Sequence, residues 1–348
     1  MSARIVLFGP YPPPFGGVAV FVQTLYEFLI KSGVACDLKV YKDEAAKQYV
    51  RPTFTSTYFH FSKLRKNDVC ADSCSFFIEY PSAGAVTAWL FLKATRRFKW
   101  IKIIHDGTLP KRHKTFNLLA RFLFKLSILF VDKFVVVQKD LEQWLIDNIK
   151  VSQDVFCVPS LLPLQHSNAQ LPEHILNAFT GYDKVICSIG VFTPNYGFKH
   201  IANAVDVIRQ DSCLKIALIL IDGSFAKDAD YAKAVKGRDW IKVFENISHP
   251  HVLAILKKCD VFVRAVALES YGLSRVEAIL CGTPVVATRV GETRGMLLFE
   301  YGDEVALIKQ INEALFNPSV RQDIHFWADQ FRNEAEKNMT NLISIINS

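Results

Sequence analysis

No apolar run in this 348-residue chain is both long and clean enough to cross a membrane. The longest candidate, from Leu118 to Val137, is interrupted by Arg121, Lys125, Asp132 and Lys133. A strand-like run begins at Arg4, so no signal peptide is expected. Of the eight cysteines only Cys70 and Cys74 lie close together, and a lone pair lacks the partners of a zinc site. Scattered thiols fit a reducing compartment, so a cytoplasmic protein is expected. Repeats and low-complexity tracts are missing, as are a complete Gly-x-Gly-x-x-Gly fingerprint and a Walker lysine. Asp228-Ala229-Asp230 sits in a charged loop ahead of a helix, where acids favour the dipole, so no metal site is expected.

What the chain does have is a near-continuous alternation of strand and helix, the mark of parallel sheets covered by helices. Strands are expected at residues 4–8, 34–41, 75–79, 100–104, 133–137 and 155–159 of a first unit. A second set is expected at 184–189, 215–221, 240–243, 261–263 and 284–287. A helix is expected from Lys114 to Phe130, and a last, charged one over about 320–348. The stretch 161–180, with Pro163, Gln165, Ser167, Asn168 and Pro172, reads as a linker. The expected domains are 1–165, 166–320 and a C-terminal helix at 321–348 that packs back toward the first.

The densest chemistry lies in ESYGLSRVEAILCGTPVVAT, from Glu269 to Thr288. Gly272 suits a turn where backbone approaches a ligand, and the helix after it offers free N–H groups to an anion. Glu269 and Glu277 flank that turn and can accept hydrogen bonds from hydroxyls. Hydroxyl acceptor, anion cradle and second hydroxyl acceptor, in that order, suit a nucleotide sugar. A weaker anion signal is Gly16-Gly17, between the first strand and its helix.

Several segments together resemble the glycosyltransferases of group 1, or family 4, with the GT-B fold. They are the first strand–Gly-Gly–helix, IKIIHDG at 101–107, SIGVFTPNYGFKHIANAV at 188–205, LILIDGS at 218–224 and above all Asp260 to Thr288. The resemblance implies two Rossmann-like domains facing each other across a donor/acceptor cleft. It implies a nucleotide-diphosphate-sugar donor, a hydroxyl of a glycan or lipid-linked acceptor, retention of configuration, and no cofactor or metal.

Residue by residue, it places His105 and Glu269 in catalysis, where Lys199 is expected to join them as a substitute cation. Gly16, Gly17, Gly190, Arg264, Tyr271, Gly272, Leu273 and Glu277 would bind the donor. Phe244, Glu245 and Asn246, read as a loop after Val243, would meet the nucleobase. The family's usual Arg after the glycine at 190 and Lys before the glycine at 197 are replaced here by Val191 and Tyr196. Lys199, Arg264 and Arg275 are the nearest substitutes, with Lys199 favoured for its one-turn spacing from Tyr196. An alternative is a catalytically weak GT-B relative that binds nucleotide or serves assembly.

Net charge is +7, and between Lys93 and Lys125 ten Lys or Arg meet one Asp, interleaved with aromatics. No nucleic-acid motif accompanies this stretch, and a solvated helix face or a face for anionic lipid both fit it. Because the family it resembles often glycosylates lipid-linked acceptors, lipid contact is expected, carried by Arg96, Arg97, Lys99, Lys111 and Arg112. The expected setting is peripheral, on the inner face of the cell membrane, in bacterial surface polysaccharide synthesis (lipopolysaccharide, capsule or exopolysaccharide).

Overall fold

The computed structural model describes residues 4–12, 16–40, 54–73, 82–96, 98–164, 169–223 and 228–348, with backbone alone at 54, 56, 59, 60 and 96. The chain divides into two compact units. One is Met1–Pro12 with Val18–Leu162 and Glu336–Ser348; the other is Pro13–Gly17 with Pro163–Ala335.

Unit 1 is built on six strands: β1 (Ile5–Gly9), β2 (Cys36–Val40), β3 (Val69–Asp72), β4 (Lys99–Ile104), β5 (Lys133–Val136) and β6 (Asp154–Cys157). Their order is β2-β1-β3-β4-β5-β6, and every pairing is parallel. Period-two alternation splits each strand between two cores. Ile5, Leu7, Ile101 and Ile103 pack with the helix Gly17–Lys31 and with Met339, Leu342, Ile345 and Ile346 of the C-terminal helix. Val6, Phe8, Trp100 and Phe134 pack on the other side with Phe61, Trp89 and Phe124. Trp89 stacks on Trp100 with centroids 3.8 Å apart, and Phe8 on Phe61 at 4.2 Å.

Three expectations are corrected here. The third strand is Val69–Asp72; the segment 75–79, expected in its place, lies outside the described residues. The helix expected over 114–130 is two helices, Leu109–Lys114 and Leu118–Ile128, because the Asn117 side chain accepts the Ala120 N–H and starts the second one. Lys102 belongs to no solvated face. It is fully buried on β4 and paired at 3.4 Å with the equally buried Asp72, which also accepts from the Trp100 indole N–H.

Unit 2 carries β7 (Lys184–Gly190), β8 (Ile216–Asp222), β9 (Ile241–Glu245), β10 (Val261–Arg264), β11 (Val285–Thr288) and β12 (Leu297–Phe299). The order is β12-β11-β10-β7-β8-β9, again parallel throughout. β12 is an addition to the five strands expected. Both sheets are doubly wound, and in each the winding direction reverses once: between β1 and β3, and between β7 and β10. Such switch points open a crevice at the carboxyl ends of the two strands.

Candidate functional site

At the unit 2 switch point β7 ends in Gly190 and β10 ends in Arg264. Arg264 donates Nη1 to the carbonyl of Ile189, and its Nε and Nη2 reach Glu269 Oε2 at 3.0 and 2.6 Å. The guanidinium also lies over the Tyr196 ring, 4.9 Å from its centroid. Tyr196 in turn is pressed against Gly190, where a Cβ would stand 2.5 Å from the ring. Tyr196 therefore supplies no charge of its own, but it provides the platform on which the Arg264 cation rests.

Glu269 is nearly buried, and burial by itself would raise its pKa. The adjoining Arg264 charge and hydrogen bonds, helped by Arg275, outweigh that and hold it below the ordinary carboxylate value. It stays ionised at neutral pH.

Gly272 follows with φ +82, the left-handed conformation that opens the helix Leu273–Leu280. A Cβ there would lie 3.0 Å from Arg275 Nε and 3.1 Å from Glu269 Cγ. Arg275 is fully buried. Its Nη1 grips the carbonyls of Thr288, Val290 and Glu292, tying the loop after β11 to the helix. Its Nε and Nη2 have no hydrogen-bond partner among the described residues. Burial lowers its pKa to about 10, against the raising effect of Glu269, so it too remains charged. The turn thus gathers a helix N-terminus, an unsatisfied guanidinium edge and the Arg264 and Arg275 cations beside Glu269, with the nearby Glu292 carboxylate held by Arg294. Positive charge and free N–H groups gathered in this way can attract an anion. Tyr271, nearly buried, has its phenol pushed up by burial, with no partner for its hydroxyl among the described residues.

Glu277, one helical turn further on, is buried, with Oε1 2.7 Å from His249 Nε2. His249 opens the helix His249–Lys258, and nothing in its sequence spacing announced the contact. Phe244 and Glu245 do not lie in a loop; they are the last residues of β9, and Asn246 follows at φ 54. Phe244 meets the His174 ring edge-on at 6.1 Å, and Glu245 pairs with Lys236 at 3.7 Å. No side-chain hydrogen bond or ion pair holds Lys199 among the described residues. It is exposed in the first turn of the helix Phe198–Ser212, and its backbone N–H donates to the Tyr231 hydroxyl. Asp228 caps the helix Ala229–Lys236 by accepting the Tyr231 N–H.

In unit 1, His105 follows β4, with Nε2 3.4 Å from Ser73 Oγ just beyond β3 and its ring edge-on to Phe21 at 4.7 Å. Burial and then the nearby Lys102 charge lower its pKa to about 3, so the imidazole is neutral. Gly16 and Gly17 are exposed at the start of the helix Gly17–Lys31, with open space where a Cβ would go. Of the expected basic face, Lys111 is exposed, whereas Arg112 pairs with Asp106 at 2.6 Å and Lys99 donates to the Ser348 carbonyl. Arg97 and the Arg96 side chain lie outside the described residues.

Residues 173–325 match the family described as glycosyl transferases group 1. Trehalose synthases of Thermococcus litoralis and Pyrococcus furiosus are each 26% identical over 204 residues, which is 53% of this chain and 48% of theirs. The chain spans about half the length of the curated relatives it matches. Among solved structures, a UDP-forming trehalose-phosphate synthase of Burkholderia xenovorans aligns over 100% of this chain and 99% of its own, with TM-score 0.74 and 12% identity. Anabaena HepE with UDP and glucose aligns over 98% and 100%, with TM-score 0.70 and 14% identity. Sucrose-phosphate synthase of Thermosynechococcus elongatus aligns over 99% and 96%, with TM-score 0.65 and 17% identity. Residues 173–325 are thus similar to glycosyl transferases group 1, within a chain whose two Rossmann-like units have the fold of the GT-B glycosyltransferases.

Proposed function

We propose that the chain is a glycosyltransferase that moves a sugar from a nucleotide-diphosphate sugar to an acceptor hydroxyl, with retention and without a metal. The observation that carries this reading is the Gly272 turn, where the free Arg275 Nε edge meets the N-terminus of Leu273–Leu280. The diphosphate binds there, against the amides of Tyr271, Gly272 and Leu273. Glu277 accepts from ribose hydroxyls, and His249 holds its carboxylate. Glu269 faces the transferred sugar, and Phe244 to Asn246, at the end of β9, border the base.

Bond cleavage places negative charge on the departing diphosphate, and a positioned cation is worth about 3 kcal/mol to such a step. Arg264 is that cation here. It is fixed by Glu269 and Tyr196, so it costs no reorganisation when charge develops; Lys199, free in solvent, offers no such fixed position.

The acceptor is a lipid-linked or growing surface glycan, met by an enzyme at the inner face of the membrane. A second reading, favoured by relatives named trehalose synthase and sucrose-phosphate synthase, has a small soluble sugar as acceptor.

The test is a thermal-shift screen of UDP, GDP, ADP and CMP, with and without their sugars, in EDTA. A ligand bound only by the folded state raises the melting temperature, by about 2.7 kcal/mol of added stability at a hundredfold excess over Kd. A shift with one base supports the donor site and identifies the base. No shift with any of them sinks the assignment, and a shift without turnover on any acceptor would leave a nucleotide-binding subunit.

A further inference from the structure

Unit 1 exposes an apolar surface that no core absorbs. On the helix Leu118–Ile128 and just past its end, Leu118 is 85% exposed, Leu119 62%, Phe122 62% and Leu129 67%. The opposite side of the same helix is buried, with Phe124 at 0% and Ile128 at 4%. At about 100° per residue, positions 118, 122 and 129 fall on one line and 119 lies beside them, away from the core-facing set. The helix is therefore apolar on two sides. The neighbouring helix Ala83–Arg96, which packs against it, adds Leu90 and Phe91, 45% and 51% exposed.

Along the stretch that carries this surface, charge is of one sign. Lys111, Lys114, Arg121 and Lys125 are exposed, and residues 107–131 contain no Asp or Glu. The two acids that bracket the stretch are already engaged, Asp106 with Arg112 at 2.6 Å and Asp132 with Lys93 at 2.5 Å. Arg121 donates to the Lys114 carbonyl, and not to an acid.

We propose that this face docks unit 1 on an anionic lipid surface, with Leu118, Leu119, Phe122 and Leu129 entering the acyl boundary and the bordering cations meeting headgroup phosphates. An eleven-residue helix is about 16 Å long and lies in the interface rather than crossing it. The charge pattern selects this occupant. A second copy of the chain, docked by the same patch, would set the four cations against their own counterparts with no acid to neutralise them. Nucleic acid would answer the charge but has no use for exposed leucines, which do not stack on bases. An anionic bilayer answers both. The inference rests on the proposed lipid-linked acceptor only for its purpose, since the surface itself owes nothing to the donor site.

The experiment is co-sedimentation of the full chain with phosphatidylcholine vesicles, with and without phosphatidylglycerol. The chain is expected to sediment with the anionic vesicles and to stay in solution with the neutral ones. Leu119→Asn combined with Phe122→Asn, and separately Lys114→Gln combined with Lys125→Gln, are each expected to weaken that partition about tenfold or more. All four side chains are exposed, so both variants should melt as the parent does. Unchanged partition of the Leu119/Phe122 variant would overturn the proposal, because binding would then be charge alone. So would failure of the parent to bind anionic vesicles, or its self-association in solution through the same residues. A nucleotide-induced thermal shift, measured on the same samples, reports the donor reading separately: it can fail while vesicle binding holds, and the reverse.

Discussion

His105 has the most direct consequence at the scale of single residues. Its folded-state pKa, lowered to about 3 by burial and by Lys102, lies below the ordinary histidine value of about 6.5. Between those two values the unfolded chain binds a proton that the folded chain refuses. Stability therefore falls as pH drops through that window, by at most about 1.4 kcal/mol per pH unit from this residue. His105→Gln should lose that part of the slope, seen as a flatter dependence of urea midpoint on pH from 6.5 down to about 4. An identical slope in the variant would mean that the imidazole protonates freely in the fold. Glu269 acts lower on the scale: its depressed pKa adds stability that is present above the ordinary carboxylate value and is lost below it.

The Arg264–Glu269 pair makes a second prediction. Its side chains are 10% and 16% exposed, and removing one partner leaves the other charge buried. Arg264→Ala should cost about 3 kcal/mol of stability. At temperatures where the variant is folded, it should lower kcat about a hundredfold or more, with smaller loss of donor affinity. Lys199→Ala should change neither by more than about twofold. If Lys199→Ala proves the more damaging of the two, the assignment of the cation is wrong. Glu277→Ala should weaken the nucleotide about tenfold or more, through loss of charge-assisted hydrogen bonds; unchanged affinity would remove its ribose role.

Residue roles were unevenly legible. Glu269, Gly272 and Glu277 stand in one short segment, so their nearness in space follows from their spacing, whatever each of them binds. Arg264 was one of three candidates, and only the loop that folds Glu269 back on it, with Tyr196 beneath, singles it out. His249 lies 28 residues from Glu277, and no local period links them. Lys102 carried a signal that composition hides: a lysine inside the run Trp100–Ile104 of a central parallel strand must be buried, and so must be paired.

Among elements, the strands that are apolar on both faces, such as IVLFG of β1 and IALILID of β8, stood out because parallel strands are buried on both sides. β3 escaped notice because VCAD is short and ends in a buried acid, while SFFIE a few residues later has the stronger strand composition. β12, three residues after a Gly-rich turn, is too short to show a period. The helix Leu273–Leu280 depends on its entry. Gly272→Ala would hold a Cβ at φ +82, with Arg275 and Glu269 atoms 3.0–3.1 Å away. The expected loss is about 2 kcal/mol, from left-handed strain and displaced guanidinium. Donor affinity should fall further than the melting temperature implies. A variant with parental stability and binding would show that the turn tolerates a side chain, and that backbone approach to the ligand is not what Gly272 provides.

At the scale of the whole molecule, the two units do not share the C-terminal helix equally. Pro318–Asn347 is one continuous helix, yet its residues up to Ala335 count with unit 2 and Glu336–Ser348 with unit 1. Met339, Leu342, Ile345 and Ile346 are buried in the core of unit 1, beside Leu7 and Ile103. Asn338 donates to the Leu161 carbonyl, and Lys133 donates to the Ser348 hydroxyl. Deleting residues 336–348 would withdraw four buried apolar side chains from that core, an upper value on the order of 10 kcal/mol. That matches the whole stability of an ordinary domain, so unit 1 should unfold. Unit 2 keeps its own sheet and core through the same deletion. Limited proteolysis of the truncated chain should therefore cut within residues 18–162 and spare a fragment near 163–335. That fragment carries Arg264, Glu269, Gly272 and Glu277, so it should retain a nucleotide-induced thermal shift. Cleavage spread evenly over both units would show instead that unit 2 cannot stand without unit 1. Full protection of both would show that the last thirteen residues are dispensable to the core they fill.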